Sequence, residues 1–394
     1  MKKIFIYLIS FILIFFIFPA LLTNTKKTNA ESTDTKESQT NNGKNNSNNN
    51  SDKIISNNQE NLDNSNKSNN QENLQNSNDQ NNSNNSQNSN NQSNLNENNN
   101  QLNKYQYSKY GEITLLHTST GNTEKLNLDE YLYGVVSAEM PATYEIEALK
   151  AQAIVARTYT IYKILNKKHE NADICDDSRC CQAWISKEDR FSKWAEGDRE
   201  SNWSKIVNAV QDTQGKIITY QNQPINAFFH SNSGGMTETP INVWGGSDYP
   251  YLQSVATSGE DGYKQYSSEV TLSQDELLSK LRSKYDDIQI DFSNSDDIKI
   301  LEYTSSNRVK TVKFGNHNIS GVEARTLLGL KSTNFEISRD GENINFYVKG
   351  YGHGVGMSQT GADSLAKQGK KADEIITHFY TGVEIKFVNE IWYV

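Results

Sequence analysis

The chain has 394 residues and a formal net charge of −9 at pH 7, from 39 basic and 48 acidic side chains. That balance argues against general nucleic-acid binding, and against adhesion to anionic polymers by bulk charge. Three cysteines at 175, 180 and 181 are an odd number in a short stretch, which is not the pattern of a disulfide framework.

Lys2 and Lys3 precede an almost wholly apolar run from Ile4 to Leu22. As a helix those residues span roughly 28 Å, close to the hydrocarbon thickness of a bilayer. The expectation is a signal anchor over residues 1–22, with Lys2 and Lys3 inside and the rest of the chain exported. Pro19 and Thr28-Asn29-Ala30 keep a cleaved signal peptide open as the alternative. About half of residues 41–100 are Asn, so residues 23–104 hold too little apolar surface to offset chain entropy. They are expected to be a disordered tether, with a span on the order of 50 Å.

The folded part is expected over residues 105–394, long enough for one large domain or two lobes. Its class reads as α+β. Tyr105 to Leu128 alternates like a strand and hairpin. Asp129 starts a helix with Tyr131, Leu132, Val135 and Val136 on one face, ending near Met140-Pro141. Thr143 is the expected N-cap of a longer helix whose buried stripe includes Ile146, Leu149, Ala153, Ile154, Ile161 and Ile164. A polar, cysteine-bearing loop over 166–182 follows, then a helix through Trp203 to Val210. Strands are expected at Lys216–Tyr220 and Ile225–Phe229, with His230 in a loop at a strand exit. Residues 274–284 read as helical, and about 265–348 as a smaller strand-rich lobe with a helical turn at Arg325–Leu330. A glycine-rich loop from Gly350 to Gly356 feeds a last helix through Ser358, Ala362 and Leu365.

Four groups of residues carry chemistry. Glu139 sits between two helices with apolar neighbours, where a carboxyl keeps its proton to higher pH and can act as an acid. The competing reading is an exposed helix-end glutamate. The glycine-rich loop brings the backbone close to a ligand beside His353, Ser358 and Gln359. It lacks the lysine of a phosphate loop, and its spacing does not match a dinucleotide fingerprint; a tight structural turn is the alternative. His230, Ser231 and Ser233 lie together without a nucleophile elbow around Ser231. A Cys181–His353 pair in space is a second nucleophile arrangement, but the local signatures of cysteine enzymes are absent. Finally His169, Cys175, Cys180 and Cys181 supply one imidazole and three thiols, enough for a closed tetrahedral zinc site. A local disulfide from Cys175 with one free thiol left over fits the same spacing.

The sequence resembles the stage II sporulation protein D group of peptidoglycan lytic transglycosylases over about residues 112–394. The resemblance rests on four motifs in order: Leu128-Asp-Glu-Tyr-Leu-Tyr-Gly-Val-Val-Ser-Ala-Glu139-Met-Pro, Ala148-Leu-Lys-Ala-Gln-Ala-Ile-Val-Ala-Arg157-Thr-Tyr, Phe229-His-Ser-Asn-Ser-Gly-Gly235 and Gly350-Tyr-Gly-His-Gly-Val-Gly-Met-Ser-Gln-Thr-Gly-Ala362. It implies a two-lobed α+β fold with a central cleft, and Glu139 as the acid that protonates the bond between N-acetylmuramic acid and N-acetylglucosamine. Attack by the sugar's own 6-hydroxyl would then leave a 1,6-anhydro end. The resemblance further implies that Arg157 contacts substrate or holds the cleft through charge-assisted bonds, and that His230, Ser231, Ser233, His353 and Gln359 line the cleft as substrate-binding groups. It implies structural zinc at His169, Cys175 and Cys181, with Cys180 where a histidine is found in the best-known pattern. Implied partners are glycan strands stripped of stem peptides and stage II sporulation proteins P and M. The implied place is the cell membrane, with the catalytic part in the septal space during engulfment. A non-catalytic wall-binding enhancer of a partner amidase shares the same motifs and is the alternative. A zinc hydrolase is disfavoured, because four protein ligands leave no open metal position.

Overall fold

The computed structural model describes residues 110–391 except Asp248. The expected anchor and tether, residues 1–22 and 23–104, lie outside the described residues. Among the described residues no helix is long and apolar enough to cross a membrane.

The described chain is a mixed α+β structure of several small sheets. A hairpin of β1 (Glu112–Leu116) and β2 (Thr123–Asn127) leads into α1 (Leu128–Glu139), whose first turn is capped by the Asn127 side chain accepting from Asp129 N–H. The apolar stripe of α1, Leu128, Tyr131, Leu132, Val135 and Val136, is buried as its spacing predicts. Burial of one such side chain contributes roughly 1.5–3 kcal/mol. Gly134 lies where a Cβ would stand 2.2 Å from the Trp184 ring, so only glycine lets α1 approach the following cysteine loop.

The long helix α2 (Ile146–Leu165) is the centre of the molecule. Its start differs from expectation. Residues 141–144 make a turn closed by Tyr144 N–H to Pro141 O (3.0 Å), and the Glu145 N–H donates to Asp363 Oδ1 at 2.6 Å. The distant carboxylate and the burial of Tyr144 outweigh the local capping preference of Thr143. β3 (Ile174–Cys175) pairs parallel with β1 and docks the cysteine loop there. Helices α3 (Lys187–Lys193) and α4 (Arg199–Gln211) lead to β4 (Lys216–Tyr220).

The strand expected over 225–229 is broken up. Gln221 and Asn222 take positive φ in a tight turn, and β5 is only Gln223–Pro224. Pro224 lacks the N–H that would extend the ladder. β6 (Phe229–His230) pairs instead with a strand far along the chain. After α5 (Pro240–Trp244) come β7 (Ser267–Ser273), α6 (Gln274–Arg282), β8 (Ile298–Tyr303), β9 (Val309–Phe314), β10 (His317–Ser320), α7 (Gly321–Leu328), β11 (Asn334–Asp340) and β12 (Asn343–Lys349). They form two three-stranded sheets, β10-β9-β8 and β11-β12-β7, over a second hydrophobic core that includes Leu277, Leu281, Phe314, Phe335 and Phe346. The first core holds α1, α2 and α4 together with the C-terminal helices α8 (Gln359–Lys367) and α9 (Ala372–Phe379). β13 (Met357–Ser358) pairs with β6, and β14 (Glu384–Phe387) with β4.

Candidate active site and metal centre

Glu139 is the last residue of α1, and the chain turns away at Met140. Its carboxylate faces a cleft of about 700 Å³ whose other walls are Tyr159 and Lys163 of α2, Cys180 and Cys181, the aromatic group Phe228, Trp244 and His353, and Val322 and Arg325 of α7. Burial pushes the Glu139 carboxyl above its usual value, against two hydrogen bonds that favour the ion. These are Ala183 N–H to Oε1 at 2.7 Å and Gln359 Nε2 to Oε2 at 3.3 Å. Among the described residues Glu139 is the sole carboxylate lining the cleft.

The Phe228, Trp244 and His353 rings pack together at tilted angles, with centroids 4.7 Å apart for Phe228–Trp244 and 5.0 Å for Trp244–His353. Trp244 is half exposed, so this wall offers an aromatic ring of the kind that sugar rings cover.

Behind it, the two glycine-bearing motifs are joined by β6 and β13, which place His230 opposite Ser358. Gly356 takes φ +71°, and a Cβ there would lie 2.0 Å from Phe228 O, which explains the glycine. Both motifs converge on Glu260, a buried carboxylate that sequence reasoning missed. It accepts from Ser233 Oγ (2.5 Å), Thr257 Oγ1 (2.7 Å), Thr360 Oγ1 (3.0 Å), the Ser358 hydroxyl and the N–H groups of Ser233 (3.1 Å) and Gly235 (3.2 Å). Burial opposes its charge, but these donors outweigh burial and hold the carboxyl at about 2. Its setting, Ser258-Gly-Glu-Asp-Gly, reads as an exposed turn, and no local signal marks it.

Several expected substrate contacts sit elsewhere. Arg157 is 1% exposed and lies away from the cleft. Its guanidinium donates to Thr213 O (2.8 Å), Val210 O (3.1 Å) and Asp129 Oδ1 (3.3 Å), tying α2 to α1 and to the end of α4. The helix is buried on every side there, so this arginine braces the fold through charge-assisted bonds and is not part of the cleft lining. Ser233 is fully buried on Glu260, and His230 is buried with Nδ1 donating to Val355 O at 3.1 Å. Burial first, then the nearby Arg308 charge, pulls His230 down to about 4, so it is neutral. Ser231 is half-buried and holds Thr360 through its carbonyl. His353 does line the cleft, its Nδ1 accepting from Val355 N–H at 3.0 Å. Gln359 reaches Glu139 itself.

His169, Cys175, Cys180 and Cys181 bring one ligand atom each to within 4.8 Å of one another, and all three cysteines are free thiols. His169 Nε2 is 3.4 Å from Cys181 Sγ and 3.6 Å from Cys180 Sγ, and the two sulfurs are 3.9 Å apart. Tetrahedral bonds of about 2.3 Å to sulfur and about 2.0 Å to nitrogen require edges of roughly 3.5–3.8 Å, so the donor set fits a four-coordinate cation. β3 fixes Cys175, and the Asp177 carbonyl accepts from the N–H groups of Cys180 (2.9 Å) and Cys181 (2.7 Å).

A family model described as stage II sporulation protein matches residues 117–220. Stage II sporulation protein D of Bacillus subtilis (strain 168) is 38% identical over 276 residues, covering 69% of this chain and 78% of that one. The protein of the same name from Bacillus amyloliquefaciens is 37% identical over 277 residues, with the same coverage. An amidase enhancer of B. subtilis is 29% identical over 305 residues, 64% of this chain and 40% of that one. The chain belongs to the stage II sporulation protein D family.

Proposed function

We propose that the protein is a lytic transglycosylase that cleaves N-acetylmuramic acid–N-acetylglucosamine bonds in glycan strands stripped of stem peptides. The observation that carries this reading is a single carboxyl, Glu139, whose proton burial retains, in a cleft with no second carboxylate among the described residues. A hydrolase of two-carboxylate type needs a second group to hold or activate water. Intramolecular attack by the sugar 6-hydroxyl does not.

Glu139 Oε2, whose partner Gln359 is the more distant one at 3.3 Å, is the oxygen suited to carry the proton. It protonates the glycosidic oxygen as the bond to C1 breaks. The resulting carboxylate is met by donors already in place, Ala183 N–H and the Gln359 amide. It then takes the 6-hydroxyl proton as that oxygen closes on C1, which restores the acid and leaves a 1,6-anhydro end. The aromatic wall around Trp244 suits a sugar ring.

In the same reading zinc is the cation held by His169, Cys175, Cys180 and Cys181. Four protein ligands give it a structural role. The protein would act outside the cytoplasm, tethered to the membrane by residues 1–22. Its place would be wall thinning during sporulation, with stage II sporulation proteins P and M as partners. The likeness to an amidase enhancer favours one second reading, a wall-binding protein that stimulates an amidase without cleaving glycan itself.

Mass spectrometry of products from stem-stripped strands tests both. Anhydromuramic ends with the full chain, reduced at least about 100-fold by Glu139→Gln, are expected. No cleavage by either protein would support the enhancer, and reducing ends would mean hydrolysis.

A further inference from the structure

We propose that Arg325 is the specificity residue of the cleft: it binds the lactyl carboxylate that a muramic sugar exposes when no stem peptide is attached. The inference rests on the proposed glycan-strand substrate and deepens it.

Four charged side chains line the cleft: Glu139, Lys163, Arg179 and Arg325. Two of the three cations are already engaged. Arg179 binds the Asp177 carboxylate through Nε (3.1 Å) and Nη2 (2.9 Å). The Lys163 ammonium lies 4.9 Å from the Tyr159 ring centroid and 5.9 Å from that of Tyr162. Arg325 differs. It belongs to α7, lines the same cleft as Glu139 and is largely desolvated; burial draws its pKa below the usual arginine value. Among the described residues no hydrogen-bond acceptor or ion-pair partner takes up its guanidinium. The one charge interaction that favours its cationic form comes from the Tyr351 hydroxyl, and the carboxylates that act on the neighbouring Arg308, Glu260 and Glu238, are committed elsewhere. Glu260 is surrounded by Ser and Thr hydroxyls. Glu238 accepts from Asn242 (2.9 Å), Thr304 (2.6 Å) and Ser306 (3.2 Å). Burial first, then His230 and the two arginines Arg325 and Arg308, disfavour protonation of His353.

Arg325 is therefore the cleft-lining guanidinium to which no protein acceptor is bonded among the described residues. A desolvated guanidinium without an acceptor is unfavourable until a ligand brings an anion, and its planar fork matches a carboxylate in two parallel hydrogen bonds. N-acetylglucosamine has no anionic group. N-acetylmuramic acid has one, the lactyl carboxylate, and it is neutral when converted to an amide by a stem peptide. The same arginine thus favours stripped strands and disfavours intact ones, without any group having to clash with the peptide.

The test measures binding, so it does not depend on cleavage. Full-length Glu139→Gln protein is titrated with stripped glycan strands and with the same strands whose lactyl carboxylates are converted to methylamides. The stripped strands are expected to bind about tenfold more tightly or better, the scale of a charge-assisted bond. Adding Arg325→Gln should bring the two affinities within about twofold, and Arg325→Lys should restore part of the preference. Equal binding of both strands by the Glu139→Gln protein, or an undiminished preference in Arg325→Gln, would overturn the assignment. Wild-type product analysis separates this from the parent reading. A carboxylate preference without anhydro products sinks the transglycosylase and leaves Arg325 its role. Anhydro products without a preference do the reverse.

Discussion

Ala183 N–H donates to Glu139 Oε1 at 2.7 Å, so the carboxyl in the cleft is held by a residue two positions beyond the last cysteine of the His169–Cys181 cluster. Gln182, between them, donates to Tyr131 Oη and Thr160 Oγ1, both at 2.9 Å. The cysteine loop therefore reaches α1 and α2 through one short stretch of chain, and its order is coupled to the placement of Glu139.

Metal removal should then act on stability first and on activity as a consequence. Structural cations of this ligand type contribute folding free energy directly. A strong chelator should lower the melting temperature by on the order of 10 °C and reduce glycan cleavage in parallel, with zinc restoring both. Cys175→Ser, which removes the most buried ligand, should reproduce the loss without chelator. An unchanged melting curve in both experiments would show that the cluster holds no structural metal.

The raised Glu139 pKa has two consequences of defined sign. Activity needs the protonated acid, so the rate should fall as pH rises through the raised value, a limb missing from Glu139→Gln. Stability follows the same direction. A carboxyl that keeps its proton longer in the folded state than in the unfolded one, whose reference is 4.5, loses stability as pH rises from there through the folded pKa. Glu139→Gln, which keeps an acceptor for Ala183, should equal or exceed the wild-type melting temperature at pH 8. The difference should vanish below about pH 4. A variant less stable than wild type at pH 8 would mean that the carboxylate is stabilising and the acid role is misassigned.

Much of this was legible in the sequence because it is local. The stripes of α1 and α2, the stop at Met140-Pro141 and the glycine loop before α8 follow from spacing and from turn chemistry. The His169–Cys181 cluster was also local, since its members lie within one loop. What escaped was set by distant partners. The start of α2 depends on Asp363, which lies 218 residues away from Glu145. β6 is a strand only because Met357 and Ser358 return beside it. Glu260 is bonded to hydroxyls 27 and 98 residues away, and nothing in its own neighbourhood distinguishes it from a surface turn. Arg157 carried a usable signal: it directly follows the largely small and apolar run Ala151–Ala156, which suits a helix buried all round, where a charge needs partners within the fold.

For Arg157, the burial predicts that substitution disturbs folding and leaves chemistry intact. Arg157→Ala leaves the Thr213 and Val210 carbonyls and Asp129 without their donor, and should cost about 3–5 kcal/mol. Arg157→Lys restores the charge but not the fork, and should recover only part of that loss. The check is denaturant unfolding beside kcat/KM corrected for the folded fraction. A folded Arg157→Lys protein should cleave within about threefold of wild type. A loss near that of Glu139→Gln in a fully folded variant would place Arg157 back in the reaction.

Glu260 gives the opposite pH signature from Glu139. Its folded carboxyl titrates at about 2, below the reference of 4.5, so the stability it contributes is present above pH 4.5 and is lost as pH falls toward 2. Glu260→Ala leaves the N–H groups of Ser233 and Gly235 and the Ser358 and Thr360 hydroxyls without their shared acceptor. It should cost about 3 kcal/mol or more at pH 7. Glu260→Gln keeps one oxygen but brings a donor into a ring of donors, so it should rescue little. Because the ring joins the His230 and Gly350–Gly356 motifs that back the aromatic wall, loosened variants should bind glycan more weakly even when folded. Urea melts of wild type and Glu260→Gln from pH 7 to pH 3 decide the matter: the gap should narrow as pH falls, and a constant gap would show that the carboxylate charge does not hold the two motifs together.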